Sequence, residues 1–69
     1  MKQIDARGYA CPMPVIMVQK EVKANAPAEL QVLVDDKCAV ENVTRFGESQ
    51  GYTVTWQEVE DEFELTLKK

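Results

Sequence analysis

Two stretches with the spacing of amphipathic helices alternate with four short runs of the kind that forms β-strands. The first helix is predicted to begin at Pro12 and to extend to about Asn25, and the second to have Asp35 as its N-cap and to end at Gly51. The predicted strands cover residues 2–6, 29–35, 52–58 and 63–67, with an acidic hairpin turn at residues 60–62. A helix that connects two strands of one sheet makes those strands parallel, whereas a hairpin makes them antiparallel. The order is therefore βαβαββ.

This order predicts an α/β (α+β) fold, a two-layer sandwich in which both helices cover one face of a four-stranded mixed sheet. The length of 69 residues fits one domain, so we assign residues 1–69 to a single domain. A core this thin has no room for a deep pocket with a large cofactor, so no cofactor is expected. Because the first two strands are predicted to be parallel, both helices should begin at the same edge of the sheet. Cys11 and Cys38 should lie at that edge.

The composition excludes several classes of function. The chain has no histidine, which removes the Ser/His and Cys/His hydrolase designs and most zinc sites, and no metal site is predicted. The net charge of −4 disfavours nucleic-acid binding. The longest apolar run, residues 15–18, is four residues and too short to span a membrane. The N-terminal residues also lack the long apolar stretch of a signal peptide, which indicates a cytoplasmic protein.

Cys11 is the residue with the strongest chemical signal, in the sequence Cys-Pro-Met-Pro. The residue before a proline avoids helical geometry, so Cys11 is predicted to be the N-cap of the first helix. The helix dipole would stabilise a thiolate there, and we expect a lowered pKa for Cys11. Pro12 and Pro14 have no N–H group to donate, and Arg7 is expected to add positive charge. The alternative is an inert buried thiol, the commonest role of a free cysteine.

The spacing of the first helix also predicts an apolar patch beside this sulfur. Met13, Ile16 and Met17 point largely away from the predicted core face. Such a patch suits protein docking, because methionine adapts to several partners. The alternative is that these side chains are singly exposed or lie against the loop, which is common.

Cys38 allows two interpretations. It is predicted to lie near the start of the second helix, partly exposed and not clearly turned toward the first helix. It is either a resolving thiol for Cys11 or an incidental surface cysteine. The 26 residues between the two cysteines exclude a Cys-x-x-Cys motif. We expect free thiols in the resting protein, with the Cα atoms too far apart for a bridge.

The segment from Asp5 to Val15 contains the pattern Asp-x-x-Gly-x-x-Cys-Pro-x-Pro, formed by Asp5, Gly8, Cys11, Pro12 and Pro14. In this pattern and in its order of elements, the chain resembles the TusA/SirA-like sulfur-carrier family. The segments at 34–35, 40–43 and 49–51 look most like the amino-terminal domain of YedF-type proteins. Tyr9 departs from the resemblance, because the family usually has an aliphatic residue there.

The resemblance implies a sulfurtransferase-type carrier that holds sulfane sulfur as a persulfide on Cys11. It implies a cysteine desulfurase or a rhodanese-like protein as donor, and a DsrE-like or other protein as acceptor. The pathways that it suggests are sulfur or selenium metabolism and tRNA thiolation. Asp5, Gly8, Pro12 and Pro14 would support the site as motif residues.

Two other functions stay open on the residues alone. The chain could be a non-catalytic interaction or regulatory domain in which Cys11 has a structural role. It could also be a redox switch based on a Cys11–Cys38 thiol–disulfide pair.

Overall fold

The computed structural model describes residues 2–69 and has the predicted order of elements. The elements are β1 (Lys2–Asp5), α1 (Met13–Asn25), β2 (Glu29–Val34), α2 (Lys37–Ser49), β3 (Thr53–Val59) and β4 (Glu62–Lys68). Two helices pack on a four-stranded mixed sheet, which confirms the predicted βαβαββ sandwich. Within residues 2–69, neither helix is long and apolar enough to cross a membrane.

The sheet has the strand order β1-β2-β4-β3. β1 and β2 are parallel, with Lys2 opposite Leu30, as expected for strands joined by a helix. β4 is antiparallel to both β2 and β3. The turn between β3 and β4 is shorter than predicted, because Glu62 already belongs to β4. Its two residues, Glu60 and Asp61, both have positive φ, as a type I′ hairpin turn requires.

The core lies between the sheet and the helices. Each helix contributes a stripe of small and medium apolar side chains, and β2 and β4 contribute alternate residues. The buried apolar residues are Ala6, Val18, Val22, Leu30, Val32, Val34, Ala39, Val40, Val43, Tyr52, Phe63, Leu65 and Leu67. Burial of one such aliphatic or aromatic side chain contributes about 1.5–3 kcal/mol, so this layer holds both helices in position.

The first helix begins later than predicted. Its N-cap is Pro12, which makes no side-chain capping bond, so Cys11 lies one residue outside the N-cap and its predicted N-cap position is wrong. The reason is a turn of four residues, in which the Met13 N–H donates to the Ala10 carbonyl oxygen at 2.9 Å. The Cys11–Pro12 peptide bond within this turn is cis.

The second helix also differs at its start. Its N-cap is Asp36, whose Oδ1 accepts from the Cys38 backbone N–H at 3.0 Å, so the assignment of Asp35 was wrong by one residue. Asp35 instead accepts from the Gly8 backbone N–H at 2.8 Å. Asp36 therefore caps α2, whereas Asp35 binds the loop before α1.

Candidate functional site: two thiols at one edge of the sheet

Both cysteines lie at the edge of the sheet where β1 and β2 end. Parallel strands direct their carboxyl ends to the same edge, and α1 and α2 both begin there. The Ala6 N–H donates to the Leu33 carbonyl oxygen at 2.8 Å, which extends the β1–β2 pairing into the loop before Cys11. The prediction that Cys11 and Cys38 share this edge is confirmed by their contacts with a common side chain of α2.

Asn42 is that side chain, and it connects the two thiols. Its Nδ2 atom lies 3.3 Å from the Sγ of Cys11 and 3.7 Å from the Sγ of Cys38. The two sulfur atoms are therefore no farther apart than the sum of these distances, 7.0 Å. Cys38 thus points toward the site of Cys11, which corrects the expected orientation. Both thiols are free, as predicted.

The two cysteines differ in burial. Cys11 is half-buried and packs against the hydrophobic core, whereas Cys38 is exposed on the first turn of α2. The sulfur of Cys11 is therefore partly shielded from solvent, whereas Cys38 is open to solvent.

The pKa of Cys11 is raised to about 11, so the expected lowering is wrong. The largest cause is the hydrogen-bonding interaction with the Cys38 thiol, followed by desolvation and by the charge of Cys38. The hydrogen bond from Asn42 lowers the pKa, and the negative charge of Asp36 raises it. At neutral pH Cys11 is therefore a thiol in the resting protein.

Arg7 does not supply the positive charge that was expected beside Cys11. Its guanidinium group binds Asp5 at 2.8 Å and Glu62 at 3.1 Å, which ties the loop before α1 to the beginning of β4. The bond from Arg7 holds the pKa of Asp5 at about 2. Two carboxylates compensate the guanidinium charge, and Arg7 is not among the groups that shift the pKa of Cys11.

The other motif residues shape the loop. Gly8 has a φ of 84°, a region that favours glycine, and its N–H binds Asp35. Pro12 occupies the N-cap position of α1, and Pro14 is buried in the first turn of this helix. Asp5 and Gly8 thus fix two points of the chain between β1 and Cys11.

The apolar patch of α1 is narrower than the helical spacing predicted. Met13 is 41% exposed next to Cys11, but Ile16 is half-buried, and Met17 packs against the core. A separate groove of about 380 Å³ lies between the two helices and is lined by Pro12, Asn42 and Arg45 among others, but not by the patch residues. Asn42, which contacts both sulfur atoms, connects this groove to the two thiols.

Asn42 is the site residue that the sequence analysis missed. It follows Cys38 by four residues and so shares one face of α2 with it. That spacing, together with the predicted common edge of the two helices, was a usable signal. In residues 2–69, no group of three or more His, Cys, Asp or Glu side chains is arranged to hold a metal ion.

Comparisons with known proteins identify a family for this chain. Residues 2–69 match the family described as Sulfurtransferase TusA. A protein of Methanocaldococcus jannaschii named "putative sulfur carrier protein" is 42% identical over 71 aligned positions, which cover 100% of this chain and 95% of that protein.

A solved structure shows the same fold. The crystal structure of the SirA-like protein from Desulfitobacterium hafniense superimposes with a TM-score of 0.87 at 33% identity, covering 97% of this chain and 95% of the other. The similarity in sequence and in structure extends over nearly the full length of both relatives. This chain therefore belongs to the TusA sulfurtransferase family.

Proposed function

We propose that this protein is a sulfur carrier that holds sulfane sulfur as a persulfide on Cys11 and passes it from a donor protein to an acceptor protein. The observation that carries the proposal is the position of the Cys11 sulfur, half-buried at the sheet edge with the Asn42 amide 3.3 Å away. An amide donor strengthens its bond when the acceptor becomes an anion, so Asn42 favours the deprotonated thiol or persulfide. Membership of the TusA family supports this chemistry.

The loading step is a displacement at sulfur. The Cys11 thiolate attacks the terminal sulfur of a persulfide on the donor, a new S–S bond forms on Cys11, and the S–S bond of the donor breaks. The donor cysteine leaves as a thiolate. The terminal sulfur keeps its hydrogen when it moves to Cys11. The sulfane sulfur keeps its oxidation state, so no external oxidant or reductant is required.

The raised pKa of Cys11 has two consequences for this step. Few molecules carry the thiolate at neutral pH, but the thiolate that forms is more nucleophilic than one of lower pKa. The proton of Cys11 must therefore leave as the donor approaches, and the departing donor thiolate takes it up, so the exchange balances. Asn42 supplies one donor to the thiolate that results.

Protein partners follow from this chemistry, since a carrier receives and releases its cargo at other proteins. A cysteine desulfurase or a rhodanese-like protein would be the donor, and a DsrE-like or other sulfur-accepting protein the acceptor. The exposed Met13, two residues after Cys11 in the chain, would form part of the docking surface together with the half-buried Ile16 and Met17. Sulfur or selenium metabolism and tRNA thiolation, in the cytoplasm, are the processes that such a relay would serve.

Intact-mass measurement after incubation with a cysteine desulfurase and cysteine tests the proposal. The Cys38→Ala variant, which lacks the second thiol, should gain the mass of one sulfur atom, and Cys11→Ser should gain none. The two variants are matched, because each keeps one of the two thiols. Failure of both the desulfurase and a rhodanese-type donor to load Cys38→Ala would contradict the proposal, as would loading of Cys11→Ser.

A further inference from the structure

We propose that Cys38 discharges the Cys11 persulfide by attacking its inner sulfur, which releases hydrosulfide and leaves a Cys11–Cys38 disulfide. The inference rests on the proposed function, because it starts from a persulfide on Cys11. It adds a second reaction to the same site, in which the sulfur leaves as sulfide and not as sulfane sulfur on an acceptor protein.

The shared contact with Asn42 carries this inference. The side-chain nitrogen of Asn42 lies 3.3 Å from the sulfur of Cys11 and 3.7 Å from the sulfur of Cys38. The two thiols therefore lie on the same side of α2, on either side of this amide group. The inner sulfur of a persulfide on Cys11 is the Sγ atom, which lies within 7.0 Å of the Cys38 sulfur. The geometry therefore presents the inner sulfur to Cys38.

A disulfide requires the two sulfur atoms to approach from at most 7.0 Å to about 2 Å, so the inference replaces the expectation that the cysteines lie too far apart for a bridge. Cys11 belongs to a turn that follows an exposed loop, residues 7–10, whereas Cys38 is fixed on the first turn of α2. Displacement at sulfur requires attack opposite the leaving group, so the outer sulfur would point away from Cys38. Cys38 is exposed to solvent.

The step balances in atoms and electrons. The Cys38 thiolate forms a bond to the Sγ of Cys11, and the bond between that Sγ and the outer sulfur breaks. The outer sulfur leaves as hydrosulfide with its hydrogen, reduced by two electrons that the two cysteines supply when they become a disulfide. A dithiol reductant must then reduce the disulfide before the next cycle.

The chemistry of the leaving groups favours this route over transfer of the outer sulfur to Cys38. Such a transfer would expel the Cys11 thiolate, and a thiol of higher pKa leaves more slowly. Because the pKa of Cys11 is raised, its thiolate is a poor leaving group. Attack at the inner sulfur expels hydrosulfide instead.

The test follows a loaded chain after the donor is removed. The chain is charged with a cysteine desulfurase and cysteine, freed of both, and kept without reductant while intact mass and released sulfide are measured. The wild-type chain should lose the added sulfur and two hydrogen atoms and release an equimolar amount of sulfide. Trypsin should then yield the peptides Gly8–Lys20 and Cys38–Arg45 joined by a disulfide.

Variants identify the attacking thiol. Cys38→Ala and Cys38→Ser should both keep the persulfide at least tenfold longer than the wild-type chain. Loaded Cys38→Ala mixed with Cys11→Ser should discharge as slowly as loaded Cys38→Ala alone, because the attack is within one chain.

Two results would overturn the inference while the proposed function stands. One is a wild-type persulfide that lasts as long as the persulfide of Cys38→Ala. The other is sulfane sulfur found on the Cys38 peptide, which would show transfer in place of discharge. A chain that never gains sulfur, in any variant that retains Cys11, would remove the proposed function and this inference together.

Discussion

The side-chain amide of Asn42 donates to the sulfur of Cys11 across 3.3 Å, and this bond joins α2 to the loop before α1. The two residues are 31 positions apart in the chain. Their contact exists because β1 and β2 are parallel, which places the beginnings of both helices side by side. The bond lowers the pKa of Cys11 against the larger opposing effects of Cys38 and desolvation.

Loss of the Asn42 amide should make Cys11 less reactive. Asn42→Ala removes the hydrogen bond that lowers the pKa of Cys11, so this pKa should rise. Asn42→Asp replaces the amide by a carboxylate of the same size and shape, and its negative charge should raise the pKa of Cys11 further. The pH profile of iodoacetamide alkylation, measured on chains that also carry Cys38→Ala, should shift to higher pH. At a fixed pH below the pKa, the rate should fall several-fold.

Asn25 offers a matched control for this experiment. It is also a helical asparagine, but its amide binds Glu21 at the far end of α1. Asn25→Asp should leave the alkylation profile of Cys11 unchanged. A shift of equal size in the Asn25 and Asn42 variants would show that the effect is not due to the contact with sulfur.

Removal of the groups that raise the pKa of Cys11 should have the opposite effect. Cys38→Ala eliminates the largest cause, so the pKa should fall from about 11 toward the ordinary value of 9.0, and alkylation should begin at lower pH. Asp36→Asn should produce a smaller shift in the same direction, since the charge of Asp36 is the smallest cause. Asparagine caps a helix as well as aspartate does, so α2 should keep its start. An unchanged profile in Cys38→Ala would contradict the interaction between the two thiols.

Substitutions of the apolar residues of α1 should distinguish a loss of partner docking from a loss of stability. Met13→Glu places a charge at an exposed position, so the free energy of unfolding in urea should change by no more than about 0.5 kcal/mol. Sulfur transfer from the desulfurase should nevertheless slow, because Met13 borders Cys11. Met17→Glu should cost about 1–3 kcal/mol, because the side chain packs against the core. Unimpaired transfer in Met13→Glu would exclude this residue from the docking surface.

Substitution of Gly8 should lower the stability of the fold and also change the reactivity of Cys11. Gly8 and Gly51 have φ values of 84° and 89°, and open space surrounds the position of an added Cβ at each. Gly8→Ala and Gly51→Ala should therefore each lose about 1–2 kcal/mol of stability, from backbone strain alone. Only Gly8→Ala should also change the alkylation rate of Cys11, since the Gly8 N–H anchors the loop to Asp35. Thermal unfolding and alkylation of the two variants measure both effects.

The order of strands and helices was predictable because its signals are local. Helical and alternating spacings appear within a few residues, and the connection rule for two strands joined by a helix then makes β1 and β2 parallel. The exact starts of the helices were less predictable. Whether Asp35 or Asp36 caps α2 depends on Gly8, which is 27 positions from Asp35 and binds it.

Local spacing and the connection rule were enough to place Cys11 near the beginning of the first helix, at one edge of the sheet with Cys38. The chemical state of Cys11, in contrast, depends on contacts that form only when the chain folds. Its near neighbours along the chain, the helix dipole and Arg7, predicted a lowered pKa. The groups that act on it are Cys38, Asn42 and Asp36, all from the second βα connection and the helix that follows. Together with desolvation of the thiol, they raise the pKa. A pKa responds to charges and donors within a few ångströms, and folding brings those groups together from positions distant in sequence.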